Sequence, residues 1–164
     1  MRIIIRKALP EDANDYVDCL ISCWQSAYKG IVPDEFLNNM PAEKEQRVDR
    51  YKKSLINPDI ETYCVIYEEK IIGFLCIHKK DGDIWAIYLI EEFCGKGYGK
   101  KVLDFAINEL KCMGHKQIFL WVFEDNKRAR RFYEKHSFYL NGEKREMKYG
   151  KPLVQLRYVC DFAV

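Results

Sequence analysis

Apolar residues cluster in a short run from Arg2 to Lys7, and this β-branched centre predicts a strand. From Pro10 the pattern changes to helical spacing. Tyr16/Val17, Leu20/Ile21, Trp24 and Ala27/Tyr28 form one stripe, Pro10 and the acids behind it open the segment, and Gly30 ends it. Residues 31–41 read as a turn with a short helix, and 42–56 as a further helix whose mixed charges face water. Two β-rich runs follow at 61–69 and 70–80, and Asp81-Gly82 marks a turn into a third, Asp83 to Ile90. Beyond it, Val102/Leu103, Ala106/Ile107 and Leu110 recur at helical spacing. Residues 116–124 then read as a buried strand, 125–137 as a short helix and 138–162 as two more strands. The order β-α-α-β-β-β-α-β-α-β-β predicts a mixed α/β (α+β) fold with a mostly antiparallel central sheet flanked by helices. No linker, repeat or low-complexity tract interrupts the pattern, so residues 1–164 are expected to form a single domain.

Composition narrows the functional classes. Hydrophobic residues make up 48 % of the chain and aromatic residues 14 %, which calls for a packed core. A net charge of +2 lacks the strongly basic character of a general nucleic-acid binder, so no nucleic-acid partner is expected. No run approaches the ~18 apolar residues of a membrane span, and the opening apolar run is too short for a signal peptide. The seven cysteines are scattered without the spacing of a zinc site; Cys19 and Cys23 share a helix face but have no histidine near them. Reduced thiols in a cytoplasmic protein, with no metal, are expected.

The chemistry-bearing stretch is Phe93-Cys-Gly-Lys-Gly-Tyr-Gly-Lys-Lys101, between a strand and a helix. A Walker A loop and a dinucleotide fingerprint both require glycine where Lys100 stands. What remains is Gly95, Gly97 and Gly99 alternating with Lys96 and Tyr98. Such a loop can turn successive backbone N–H groups toward one anion in front of a helix N-terminus, or it can be a flexible surface turn. Further on, Asn126 follows a strand, Ala129 comes three residues later, and Tyr133 lies two helical turns from Asn126 on the same face.

Together the two stretches resemble the GNAT superfamily of acyl-CoA-dependent N-acetyltransferases. In that family a strand leads into [QR]-x-x-G-x-[GA], and a later one into N-x-x-A-x-x-[FY]-Y-x-x-x-G-F. The resemblance implies that the strands at 84–90 and 118–123 part to admit the pantetheine arm of acetyl-CoA. Backbone groups of Tyr88, Leu89 and Ile90 would bond the arm, and Cys94, Gly95, Lys96, Gly97, Tyr98, Gly99 and Lys100 would hold the pyrophosphate. Asn126 would bond the pantetheine chain over the flat surface left by Ala129, and the Tyr133 hydroxyl would face the sulfur. Two positions depart from the family pattern. Cys94 replaces a side-chain donor, and Ser137 stands where a glycine is expected.

Several of these residues also have ordinary structural readings. Tyr133 suits a helix packed on a sheet, and Trp24 and Tyr28 suit a core, although in the family that region roofs the acceptor site. Asp83 matches a position where some members carry a catalytic acid; it also borders a turn, where aspartate is common. The basic run Lys127–Arg131 reads as a solvated helix face with one or two cations near the phosphates. His136 reads as a helix-end residue. The expected activity is transfer of an acetyl group to a primary amine of a small molecule or a protein, by direct attack in a ternary complex. The alternative is an acyl-CoA-sensing module without turnover. Acetyl-CoA and an amine are the expected partners, and a homodimer is left open.

Overall fold

The computed structural model describes residues 2–163. Strand β1 (Ile4–Lys7) runs into a 3-10 turn, Pro10–Asp12, and then α1 (Ala13–Ala27), so the first helix starts later than its stripe suggests. Asp12 is the reason: its carboxylate accepts from the Leu9 amide at 2.8 Å and from both terminal nitrogens of Arg6 at 2.7 and 2.9 Å. That clasp tightens the entry turn, and Arg6 holds the Asp12 carboxyl below the usual carboxylate range. The chain continues through α2 (Asp34–Asn39), α3 (Lys44–Leu55), β2 (Ile60–Tyr67), β3 (Lys70–His78) and β4 (Asp83–Leu89). Next come α4 (Tyr98–Cys112), β5 (Gln117–Phe123), α5 (Lys127–Lys135), β6 (Tyr139–Lys148) and β7 (Pro152–Asp161). The observed order has one helix more before β2 than the expected β-α-α-β-β-β-α-β-α-β-β, because the short α2 and α3 are separate helices, and it agrees from β2 onward.

All seven strands lie in one sheet, ordered β1-β2-β3-β4-β5-β7-β6 and antiparallel except where β4 meets β5. The period-two alternation divides each strand between two cores. On one face Leu75, Ile77, Ile84, Ile118, Leu120 and Tyr158 pack against Val102, Leu103, Ala106 and Leu110 of α4, with Ala129, Phe132 and Tyr133 of α5 at the margin. On the other, Cys64, Phe74 and Phe123 pack against the stripe of α1, including Tyr16, Val17 and Ile21, and against Leu37 and Tyr51. The Cys19 and Cys23 sulfurs meet at 3.9 Å inside this second core, and all seven cysteines are free. Among the described residues no cluster of three or more His, Cys, Asp or Glu could hold a metal ion. No described helix is long and apolar enough to cross a membrane.

The site is made where the sheet comes apart. The β4–β5 pairing is a single parallel register point, Asp83 opposite Phe119. Two residues further along β4 the register with β3 slips, because Cys76 faces Ala86 while Ile77 faces Ile84. Trp85 is the extra residue, and such a bulge bends its strand and increases its twist. Beyond it β4 follows β3 while β5 follows β7, and the two half-sheets diverge.

Candidate active site

A cleft of about 660 Å³ fills the divergence. Its walls are Ile84 to Leu89 of β4 and Leu120 to Phe123 of β5, with Ser26, Ala27 and Tyr28 of α1 across one end. Glu91, Cys94, Gly95, Gly97, Gly99 and Lys100 line the loop side, and Asn126, Arg128, Ala129, Phe132 and Tyr133 the α5 side. Past Asp83 the β5-facing edge of β4 has no strand partner among the described residues, so part of its backbone polar groups is open to a ligand.

The loop suits an anion. Gly95 and Gly97 have φ of +73° and +85°, and a Cβ built on either would meet nothing within 4 Å. The left-handed backbone therefore excludes side chains conformationally while the space beside it stays empty. The α4 helix begins at Tyr98, and its first amides have no carbonyl a turn earlier to bond. Gly99 differs from the expectation of three alternating nest glycines. It sits inside the first turn of α4 without a positive φ, and a Cβ there would touch Phe132 of the opposite lip at 3.5 Å. Its smallness keeps the cleft wide.

Not every predicted residue of the stretch faces the cleft. Lys96 lies over the Phe93 ring at 5.7 Å, and Tyr98 packs outward beside Phe93 and Tyr67; neither is a lining residue. Ile90 is not one either, and its amide already donates to the Ile72 carbonyl at 2.8 Å, which leaves Tyr88 and Leu89 of that trio along the wall. The Cys94 sulfur turns inward to the Leu89 and Ile90 carbonyls at 3.6 and 3.7 Å. Burial pushes its pKa up although Arg128 opposes the shift, so this thiol is not poised as a nucleophile. Lys100 lines the cleft and pairs with Asp104 at 2.5 Å.

Across the cleft, Asn126 caps α5 by accepting the Ala129 amide on Oδ1 at 3.2 Å. Ala129 and Tyr133 follow it on the cleft-lining face. Tyr133 is partly buried against Phe132 and Phe138, with ring centroids at 5.2 and 5.7 Å. Burial, and then the neighbouring Tyr28, raises its phenol well above the ordinary value, so the group stays protonated at any working pH. The basic run divides its labour. Arg128 lines the cleft and pairs with Glu91 of the opposite lip at 3.0 Å. Arg130, read as solvated, instead ties the helix to the sheet by bonding Tyr158 at 3.0 Å and the Glu124 carbonyl at 3.1 Å. His136 ends α5 as expected, and it also lines the cleft.

Asp83 lies at the vertex, one residue before the lining stretch of β4, and is 9 % exposed. Its Oδ1 is buried with no hydrogen-bond partner. Burial raises its pKa to about 6, against the opposing charge of Arg145 and a hydrogen bond from Trp85. At the α1 end, Tyr28 lines the cleft and its hydroxyl shares a short hydrogen bond with that of Tyr88. Burial pushes Tyr28 up to about 12. Trp24 stacks edge-on against Tyr28 at 4.8 Å and Tyr149 at 5.2 Å, in the aromatic cluster behind the wall, and is not itself a lining residue. Among the lining residues that the sequence reading did not single out are Glu91, Trp85, Trp121, Phe123 and Gln155. The available signal was a large aromatic residue in the middle of each of two aliphatic runs, Ile84-Trp85-Ala86-Ile87 and Leu120-Trp121-Val122-Phe123.

A splayed sheet with an open, left-handed glycine loop on one lip and a capped helix bearing a partly buried tyrosine on the other defines an acyltransferase-like cleft. The profile of the Acetyltransferase (GNAT) family matches residues 23–138, and the chain belongs to that family. It is 29 % identical over 143 residues to a spermidine N(1)-acetyltransferase of Thermoplasma acidophilum, covering 84 % of this chain and 89 % of that protein. It is 27 % identical over 133 residues to the uncharacterized N-acetyltransferase YuaI of Bacillus subtilis, covering 76 % and 73 %. Among solved structures, the PaiA N-acetyltransferase of Thermoplasma acidophilum in complex with coenzyme A superposes with a TM-score of 0.77 at 23 % identity, over 99 % of this chain and 100 % of that one.

Proposed function

We propose that the protein transfers the acetyl group of acetyl-CoA to a primary amine of a small molecule or a protein, by direct attack within a ternary complex. The observation that carries the reading is the divergence of β4 and β5 after Asp83, with the open glycine loop at one lip and Tyr133 at the other. The acyltransferase names of the relatives, one of them acting on spermidine, support it. Pantetheine would lie along the unpaired edge of β4, with its pyrophosphate on the amides around Gly97 and at the α4 N-terminus. Arg128 would exchange Glu91 for phosphate. Asp83, through water, would take a proton from the ammonium, since only the neutral amine has a lone pair. The amine nitrogen then forms a bond to the thioester carbon, the nitrogen loses its second proton as the carbon–sulfur bond breaks, and a proton reaches the departing sulfur through Tyr133, which takes up the nitrogen's proton in exchange. The free cysteines accord with a reducing compartment such as the cytoplasm. The test is thiol release from acetyl-, propionyl- and succinyl-CoA against polyamines, amino acids, aminoglycosides and peptide N-termini. Coenzyme A binding without release from any acyl donor and acceptor pair would replace the enzyme by an acyl-CoA sensor.

A further inference from the structure

The acceptor side of the cleft has no lining carboxylate among the described residues, and an exposed cation, Arg145, not itself a lining residue, is held against two residues that line it. Tyr28, Trp85, Trp121, Phe123 and Gln155 wall it. The only lining acid among the described residues is Glu91, at the glycine loop, where Arg128 pairs with it at 3.0 Å. Arg145 reaches this wall from β6, two strands away. It stands opposite Gln155 of β7, which in turn stands opposite Phe123 of β5. Its guanidinium carbon lies 4.4 Å from the Trp121 ring centroid, and its Nε donates to Gln155 Oε1 at 2.7 Å. Stacking and hydrogen bond together hold the side chain in one pose and leave its terminal nitrogens for something else. Its neighbour Arg157 stacks on Phe119 in the same way but already holds Glu143 at 2.8 Å. Arg145 has no ion-pair partner among the described residues.

We propose that the acceptor carries a carboxylate beside its amine, as an amino acid does, and that Arg145 binds that carboxylate. The inference rests on the acetyl-transfer reading above. A planar fork with two free terminal nitrogens matches a carboxylate and is the wrong charge for a polyamine. Asp83 complements it. The two opposite charges act on each other across the vertex, so an acceptor with an ammonium and a carboxylate meets the matching sign at either end. A polyamine would find Asp83 for one ammonium but no second free acid among the described residues of this wall, and one fixed cation against its other charges.

The test uses acceptors that differ only in the carboxylate: phenylalanine against phenethylamine, lysine against cadaverine, arginine against agmatine, with spermidine alongside. Thiol release from acetyl-CoA gives kcat and KM for each. In at least one pair the carboxylated member should be favoured about 10- to 100-fold in kcat/KM, mostly through KM, as expected for a charged hydrogen-bonded pair. Arg145→Gln should erase that ratio while the affinity for coenzyme A and the melting temperature hold, and Arg145→Lys should restore part of it. Equal or better turnover of spermidine and the carboxylate-free amines by wild type overturns the inference and leaves acetyl transfer standing, as does a ratio that survives Arg145→Gln. Absence of thiol release from every acceptor, with coenzyme A bound, overturns the acetyl-transfer reading and this inference with it.

Discussion

Replacing Asp83 by asparagine should make the protein more stable and less active, and the gain in stability should grow with pH. The carboxyl is 9 % exposed, its Oδ1 is unpartnered, and burial raises its pKa from 3.8 to about 6 despite Arg145 and Trp85. Between those two values the native state binds more protons than the unfolded chain, so native stability falls as pH climbs through the window. The stabilisation by the protonated form is fully present below pH 3.8 and is lost as pH rises through about 6. At about 1.4 kcal/mol per pH unit, ionised Asp83 costs the fold on the order of 3 kcal/mol at neutral pH and above. Asparagine has the same shape and cannot ionise. The unfolding free energy of Asp83→Asn minus that of wild type should therefore rise by about 3 kcal/mol between about pH 4 and about pH 8. Urea unfolding of both proteins at each pH measures it, and the subtraction cancels every titration the two share. On the same preparations kcat should fall, and the acidic limb of its pH profile should disappear. A stability difference independent of pH would refute the raised pKa. An unchanged kcat profile would refute the role as base.

Tyr133→Phe should lower kcat roughly 10²- to 10⁴-fold, with the acetyl-CoA Kd and the melting temperature little changed; a kcat within about threefold of wild type makes Tyr133 a packing residue. Gly97→Asp forces a side chain onto a backbone at φ +85° and sets a negative charge against pyrophosphate, so calorimetric titration should show coenzyme A binding abolished. Wild-type affinity there would sink the assignment of the loop. Ser137 occupies the left-handed region at φ +70°, and Ser137→Gly should raise the melting temperature by about 1–4 °C; a fall would mean that the serine side chain earns its place by a contact.

What was legible in the sequence is what neighbouring residues decide between them. The stripe from Tyr16 to Tyr28 wrote out α1, and the two β-rich runs in 61–80 wrote out two strands, because spacing and residue preference act over a few neighbouring residues. Gly95 and Gly97 were legible for the same reason, since a positive φ is a local demand that glycine meets. Gly99 shows the limit. It satisfies the same motif for a different reason, the closeness of Phe132 some thirty residues away, and spacing cannot tell the two apart. Arg145 lies further out of reach. In the run Lys144-Arg-Glu-Met-Lys148 it reads as one more charge on an exposed strand. It becomes part of a site only because β7 inserts between β5 and β6 and the side chain spans it to Trp121. The splay itself depends on one register point and one bulge, and neither has a signature in the residues that make it. Where a local rule fails, the failure marks the site. Trp85 breaks the alternation of β4, and Asp83 keeps a carboxylate in a place that costs stability when ionised. A fold shaped by packing alone would have an apolar residue at 83, and the buried acid there is the physical ground for the base role proposed above.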